Sequence, residues 1–141
     1  MAAGDVLVIA SSSGRNAVPV ELARRARERR VEVIALVNLR HSEAFPSRHE
    51  SGKKLPDVAS LTIDNCGVVG DACVPLPDTE RAIGAASTVT GATILEMITC
   101  AAIEKALREG WQAEFFASAN AGREADNDAL IEKLRRDVKH L

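Results

Sequence analysis

The hydrophobic positions of this chain come in short runs, each cut off by polar residues, and their spacing alternates between two patterns. Residues 6–10, Val6-Leu7-Val8-Ile9-Ala10, are continuously apolar and bounded by Asp5 and Ser11, which predicts a central parallel strand apolar on both faces. Residues 16–30 carry Val18, Leu22, Ala23 and Ala26 at helical spacing. Pro19 falls in the first turn, where it is tolerated, and Glu21 stands four residues before Arg25. Residues 31–37 form a second apolar run, so strand, helix and strand follow one another with short joints, the signature of a right-handed βαβ unit. Residues 38–57 are polar and irregular, with a turn predicted around Ser51-Gly52. Residues 59–63 read as a third strand, followed by an irregular stretch to about residue 84.

The longest helix is predicted over 87–109, opened by Ser87 or Thr88 and closed by Gly110. Val89, Ala92, Ile94, Met97, Ile98, Ala101, Ala102 and Ile103 make it apolar or small over much of its circumference, which predicts burial on more than one side, against the sheet and a second subunit. Residues 114–118 read as a short last strand, and 127–141 as a final helix with Leu130, Ile131, Leu134 and Val138 inward. These elements predict an α/β fold, a three-layer α/β/α sandwich on a short parallel sheet. Ligands of such sheets bind outside the C-terminal ends of the strands. The polar segments 11–16, 38–54, 64–71 and 118–127 all leave from those ends and are expected to converge on one rim.

Composition narrows the function classes. With 141 residues, 46% hydrophobic and 27% charged, the chain reads as one globular domain. A net charge of −2 gives no electrostatic reason to expect nucleic acid or an anionic membrane as partner. No uninterrupted apolar run approaches a membrane span of roughly 18 residues. Residues 1–5 lack the charged and apolar regions of a signal peptide. The three cysteines, Cys66, Cys73 and Cys100, have no metal-site spacing and read as reduced, mostly buried thiols of a cytoplasmic protein. No cofactor and no metal site is expected. The arginines at 24, 25, 27, 29 and 30 read as a solvated outer helix face.

The candidate chemistry lies in Ala10-Ser11-Ser12-Ser13-Gly14-Arg15-Asn16-Ala17, where a buried strand breaks into hydroxyls and a glycine and then opens a helix. A helix start supplies unpaired N–H groups and a partial positive charge, serines supply hydroxyl donors, and glycine allows close backbone approach. The stretch therefore reads as an anion site, with a simple N-capped helix as the alternative.

With Gly4-Asp5 before it, this stretch resembles the second strand and phosphate loop of the sugar isomerase (SIS) domain, in which Ser-x-Ser-Gly-x-Thr opens a helix; Asn16 stands at the Thr position. The resemblance continues through Ser47-Arg48-His49-Glu50-Ser51-Gly52-Lys53-Lys54, Ile63-Asp64-Asn65-Cys66-Gly67, Gly70-Asp71-Ala72, Ser87-Thr88-Val89-Thr90-Gly91 and Ser118-Ala119-Asn120. These blocks are similar to a phosphosugar or phosphoheptose isomerase-like branch of the family. The resemblance implies a Rossmann- or flavodoxin-like domain over 1–141, present only as its C-terminal portion, without the first strand and helices that carry a Gly-x-Gly-x-Ser loop.

The resemblance implies a phosphorylated sugar as ligand and a homodimer or homotetramer. Its phosphate clamp would be Ser11, Ser13 and Asn16 with the backbone N–H groups of Gly14 and Arg15, joined by Ser87, Thr88 and Thr90. Asp64, Asn65 and Lys54 would contact the sugar, with Asp71 beside them as ligand or loop cap. An aldose–ketose isomerase also needs a base next to the carbonyl and an acid between the oxygens. Glu96, a carboxylate within an apolar helix stretch, is the candidate base, and His49 the candidate acid. Leu95 and Ile98 replace the Gln and His that flank the carboxylate in phosphoheptose isomerases. A non-catalytic phosphosugar-binding, regulatory or scaffold domain is therefore the alternative to the enzyme.

Overall fold

The computed structural model of the chain describes residues 1–122, 124–136 and 138. The elements run β1 (Val6–Ala10), α1 (Ala17–Glu28), β2 (Glu32–Val37), α2 (Leu39–Ala44), α3 (Leu55–Val58), β3 (Leu61–Asp64), β4 (Ala72–Pro75), β5 (Ala82–Ala85), α4 (Ala86–Arg108) and α5 (Glu124–Leu134), with a 3-10 turn at Ala119–Ala121. The fold is mixed α/β, with a short parallel three-stranded sheet flanked by helices. Chain contacts resolve into two compact units, residues 1–97 and 98–141, and the boundary falls inside α4.

The first unit is built on the βαβ arrangement read from the sequence. Strand order is β1-β2-β3, all parallel, with Val8 opposite Ile34 and Leu36 opposite Ile63. Alternation along the strands decides which face is packed. Ile9, Val33, Ala35 and Val37 form the core with Ala23 and Ala26 of α1, Val31 and Leu55. On the other face Leu36 is buried, whereas Val6 and Val8 are exposed. The expected central position of β1 is corrected accordingly: among the described residues it pairs with β2 alone, and only one of its faces is covered.

Helix α1 also turns differently from its predicted stripe. Val20, Ala23 and Ala26 are buried, while Val18 is 78% exposed. At about 100° per residue, Val18 lies roughly 140° around the helix from Ala23, so the two cannot share one buried face. The outer face is solvated and its cations are paired. Glu21 accepts from Arg25 Nε at 2.7 Å and lies 3.5 Å from Arg24, and Arg27 donates to Glu32 at 2.7 Å. The Arg25 hydrogen bond, helped by His49 and Arg24, holds the Glu21 carboxyl below its ordinary value, and the Ser60 hydroxyl with Arg27 does the same for Glu32. Carboxylates depressed in the folded state contribute stability above their unfolded value of 4.5, and that contribution is lost as pH falls through the lower folded value. Stability should therefore decline more steeply as pH falls below 4.5 in the wild type than in a Glu21→Gln/Glu32→Gln variant, as followed by urea unfolding at each pH.

Three further expectations are corrected. The stretch from 64 to 84 is not wholly irregular, because β4 and β5 form an antiparallel hairpin with Val74 opposite Ile83. Residues 114–118 form no strand. Cys66, Cys73 and Cys100 are free and exposed rather than buried. Helix α5 starts at Glu124, earlier than predicted, while the expected helical residues at 137 and 139–141, His140 included, lie outside the described residues.

Helix α4 departs most from expectation. It has the predicted length, yet none of its described residues is buried, and Val89, Met97 and Ile98 are exposed. By length and composition alone it could cross a membrane, since its most apolar 18-residue window has a mean hydropathy of 1.4. A core helix of a water-soluble protein meets the same criterion, and Ser87, Thr88, Thr90, Thr93 and Glu96 interrupt the apolar run.

Candidate functional site

At the C-terminal ends of β1 and β2 the chain changes from strand to hydrogen-bonded loops. Ser11 N donates to Leu36 O at 2.9 Å, Asn38 N to Ser12 O at 2.9 Å, and Asn65 N to Val37 O at 2.8 Å. These bonds stitch the three loops after β1, β2 and β3 to one another. Asn38, 1% exposed, is the knot beneath them: its Nδ2 donates to Val68 O at 2.8 Å and its Oδ1 accepts from His41 N at 3.0 Å.

Between these loops and the start of α4 lies a cavity of about 110 Å³, lined by Ala10, Ser11, Ser12, Leu36, Asn65, Ser87, Thr88 and Gly91. Four predicted site residues, Ser11, Asn65, Ser87 and Thr88, meet there. Helix α4 enters with Gly91 against the sheet, where a Cβ would stand 3.9 Å from Leu36 Cδ2. Asp71 caps the helix, accepting from Ser87 N at 2.8 Å and from Ser87 Oγ at 2.7 Å. Asp71 was read as a ligand or loop cap, and the element it caps is the start of α4.

Hydrogen-bonding capacity separates the residues at the cavity from those away from it. Asn65 is 8% exposed, and its Oδ1 accepts from Gly67 N at 3.0 Å. Its Nδ2, and the hydroxyls of Ser11 and Thr88, have no hydrogen-bond partner among the described residues. Ser12 Oγ is buried and also unpartnered among them. Ser12 was not singled out in the sequence, where the motif pointed to Ser11 and Ser13. Extending the alternation of β1 from Val6 and Val8 through Ala10 by one step reaches Ser12, on the face that meets α4.

The other predicted residues are engaged elsewhere. Ser13 Oγ lies 3.5 Å from Arg15 N, and Asn16 Oδ1 accepts from Arg48 Nη1 at 3.3 Å. Arg15 packs its guanidinium over Phe45, 5.3 Å from the ring centroid. Thr90 Oγ1 donates back to Ala86 O at 3.0 Å within its own helix. Asp64 Oδ1 accepts from Leu39 N at 3.1 Å and Cys66 N at 3.0 Å, and Lys54 Nζ donates to Ser42 O. None of these residues lines the cavity.

Gly14 requires a correction. It is buried with φ +59°, and a Cβ there would lie 3.2 Å from Pro56 Cδ, 3.3 Å from Val37 Cγ1 and 3.4 Å from Leu55 Cβ. Its N–H donates to Ser11 O at 3.0 Å and its carbonyl accepts from Leu55 N at 2.7 Å. The glycine therefore admits α3 against the serine loop, and its amide proton is used in the turn.

Neither proposed proton carrier reaches the cavity. Glu96 is exposed, against the expectation of burial, because none of the described residues covers α4 on that side. It lies about 140° around the helix from Gly91 and about 7–8 Å along it. His49 is buried, not solvated. Its Nδ1 faces Ser51 Oγ at 2.7 Å and its Nε2 lies 3.4 Å from Glu21 Oε2, which pins the 47–54 loop to α1. It lines a different pocket of about 700 Å³, with Val18, Leu22, Arg25 and Arg48. Among the described residues no three His, Cys, Asp or Glu side chains gather as metal ligands.

The SIS domain family model matches residues 1–38, the stretch holding β1, the serine loop, α1 and β2. The chain is also similar to a UPF0309 protein of Listeria innocua, 41% identical over 139 residues. UPF0309 proteins of Shouchella clausii and Caldanaerobacter subterraneus are 37% and 39% identical over 139 and 141 residues. Each alignment covers 98% of this chain but only 56–57% of the relative, so the chain spans about half the length of the curated relatives it matches. The match to the SIS domain model supports the SIS family.

Proposed function

We propose that this chain corresponds to the C-terminal portion of a SIS-type domain and that the cavity between the serine loop and α4 holds the phosphate group of a phosphorylated sugar. One observation carries the reading: Ser12 Oγ is buried without a partner, and the Ser11 hydroxyl, the Thr88 hydroxyl and Asn65 Nδ2, also unpartnered among the described residues, belong to residues lining the same cavity. Buried polar groups are almost always paired, so the buried Ser12 hydroxyl implies a polar occupant beside it. At about 110 Å³ the cavity has the volume of roughly three or four waters, which suits a phosphate group and leaves the sugar outside it.

The geometry supports binding better than isomerisation. Moving a carbonyl between adjacent carbons needs a base and an acid at those carbons. Glu96 faces away from the cavity and His49 lines another pocket. The non-catalytic phosphosugar-binding domain is therefore the reading adopted for this chain. The exposed Val89, Met97 and Ile98 of α4 support the homo-oligomer expected alongside it.

A thermal-shift series with sugar phosphates and the matching free sugars tests the proposal. A ligand at a hundred times its dissociation constant adds about 2.7 kcal/mol, so the phosphorylated sugars should raise Tm by several degrees and the free sugars should not. Ser11→Ala/Ser12→Ala should abolish the shift. Removing the unpartnered Ser12 hydroxyl should not itself destabilise the unliganded chain, since an unsatisfied buried donor costs about 1–3 kcal/mol. Glu96→Gln should keep the shift within error. A shift of full size in the double serine variant would refute the assignment.

A further inference from the structure

Ser87 differs from the other polar groups of the cavity. Its N–H donates to Asp71 Oδ1 at 2.8 Å and its hydroxyl lies 2.7 Å from Asp71 Oδ2. An ionised carboxylate can only accept, so the Ser87 hydroxyl proton is committed to Asp71. What Ser87 Oγ can offer the cavity is lone pairs. Asp71 is held in that position from the backbone as well, because its carbonyl accepts from Ala86 N at 3.0 Å.

The remaining groups have the opposite polarity. The Ser11, Ser12 and Thr88 hydroxyls can donate. Gly67 N–H identifies the oxygen of Asn65, 92% of whose surface is buried, and leaves its NH₂ as the group without a partner. The cavity thus has donors from the serine loop, Asn65 and Thr88, and one obligate acceptor at Ser87. Among the described residues no lysine or arginine lines it, so the Asp71 charge is met there only by the N–H and hydroxyl of Ser87 at the start of α4.

We propose that Asp71, acting through Ser87, makes the cavity selective for an oxyanion that carries a proton, a phosphomonoester monoanion, over a fully deprotonated one of the same size such as sulfate. The proposal rests on the reading of the cavity as a phosphate site. A phosphate ester has its second pKa near 6, so a P–OH is available close to neutrality. That hydroxyl donates to Ser87 Oγ while the other oxygens accept from the serine hydroxyls, Thr88 and Asn65. Sulfate has no proton to give and would set an oxygen lone pair against Ser87 Oγ, next to the Asp71 carboxylate. Asp71 is in this sense a positioning residue: it fixes which way the Ser87 hydroxyl points.

Calorimetric titration of the full 141-residue chain with inorganic phosphate and with sulfate, at about pH 6 and matched ionic strength, decides it. The wild type should prefer phosphate by about tenfold or more, the scale of one hydrogen bond to a charged group. In Asp71→Asn the amide can donate to Ser87 Oγ and free its hydroxyl to turn inward, so sulfate should gain and the preference fall to within about twofold. Ser87→Ala keeps Asp71 on the backbone N–H and removes only the acceptor; it should lose the preference too, and it guards against a folding defect in the first variant. Equal affinities in the wild type, or an unchanged preference in both variants, would overturn the selectivity while leaving the phosphate site standing. Binding of neither ion to the wild type would overturn both.

Discussion

Leu55→Ala is expected to lower the unfolding free energy by about 2–5 kcal/mol, the range for truncating a fully buried leucine. Leu55 has no exposed surface and belongs to the core with Val33, Val37 and Ala23. It also sits at the first position of α3, where its N–H donates to Gly14 O at 2.7 Å and its Cβ faces Gly14. Loss of its side chain would leave a void directly beneath the serine loop. A domain typically stands only about 5–15 kcal/mol above unfolding, so the variant should be visibly less stable. Urea unfolding should show a lower midpoint at an unchanged slope.

Gly14→Ala should cost about 2–3 kcal/mol by the same measurement, combining the penalty for a left-handed residue with overpacking of a filled site. The φ of +59° and the contacts at 3.2–3.4 Å with Pro56, Val37 and Leu55 are the grounds. A glycine retained for ligand approach would behave in the opposite way. Its alanine variant would keep near-wild-type stability and lose only ligand binding.

The βαβ core was legible in the sequence because the decisive signals are local. The runs at 6–10 and 31–37 are apolar throughout, and the segment between them has helical spacing and a tolerated proline. The gathering of the loops after β1, β2 and β3 was legible for the same reason, since polar residues after parallel strands must meet at one end of the sheet, whereas 118–127 follows no strand. What each polar residue does there was not. Ser11 and Ser13 look equivalent in the motif, yet only Ser11 lines the cavity. Thr90 and Asp64 carry suitable groups that the backbone has already engaged. Gly14 reads as a ligand-contact glycine until α3, forty residues later, is found packed on it. These outcomes depend on partners distant in sequence, which spacing does not encode. Burial of α4 was inferred from its own composition, but burial requires a covering surface, and the described residues leave no position of the helix fully covered.

The cavity lined by Ser11, Ser12, Asn65 and Thr88 is proposed to receive a phosphate group. Amide chemical shifts of the ¹⁵N-labelled chain, recorded during titration with a hexose phosphate, test it most directly. Phosphate binding in the cavity should give saturable shifts at Ser11, Ser12, Thr88 and the Asn65 side-chain amide, absent with the unphosphorylated hexose. Saturable shifts confined to Asn16, Arg48 and His49, or no shifts at all, would contradict it.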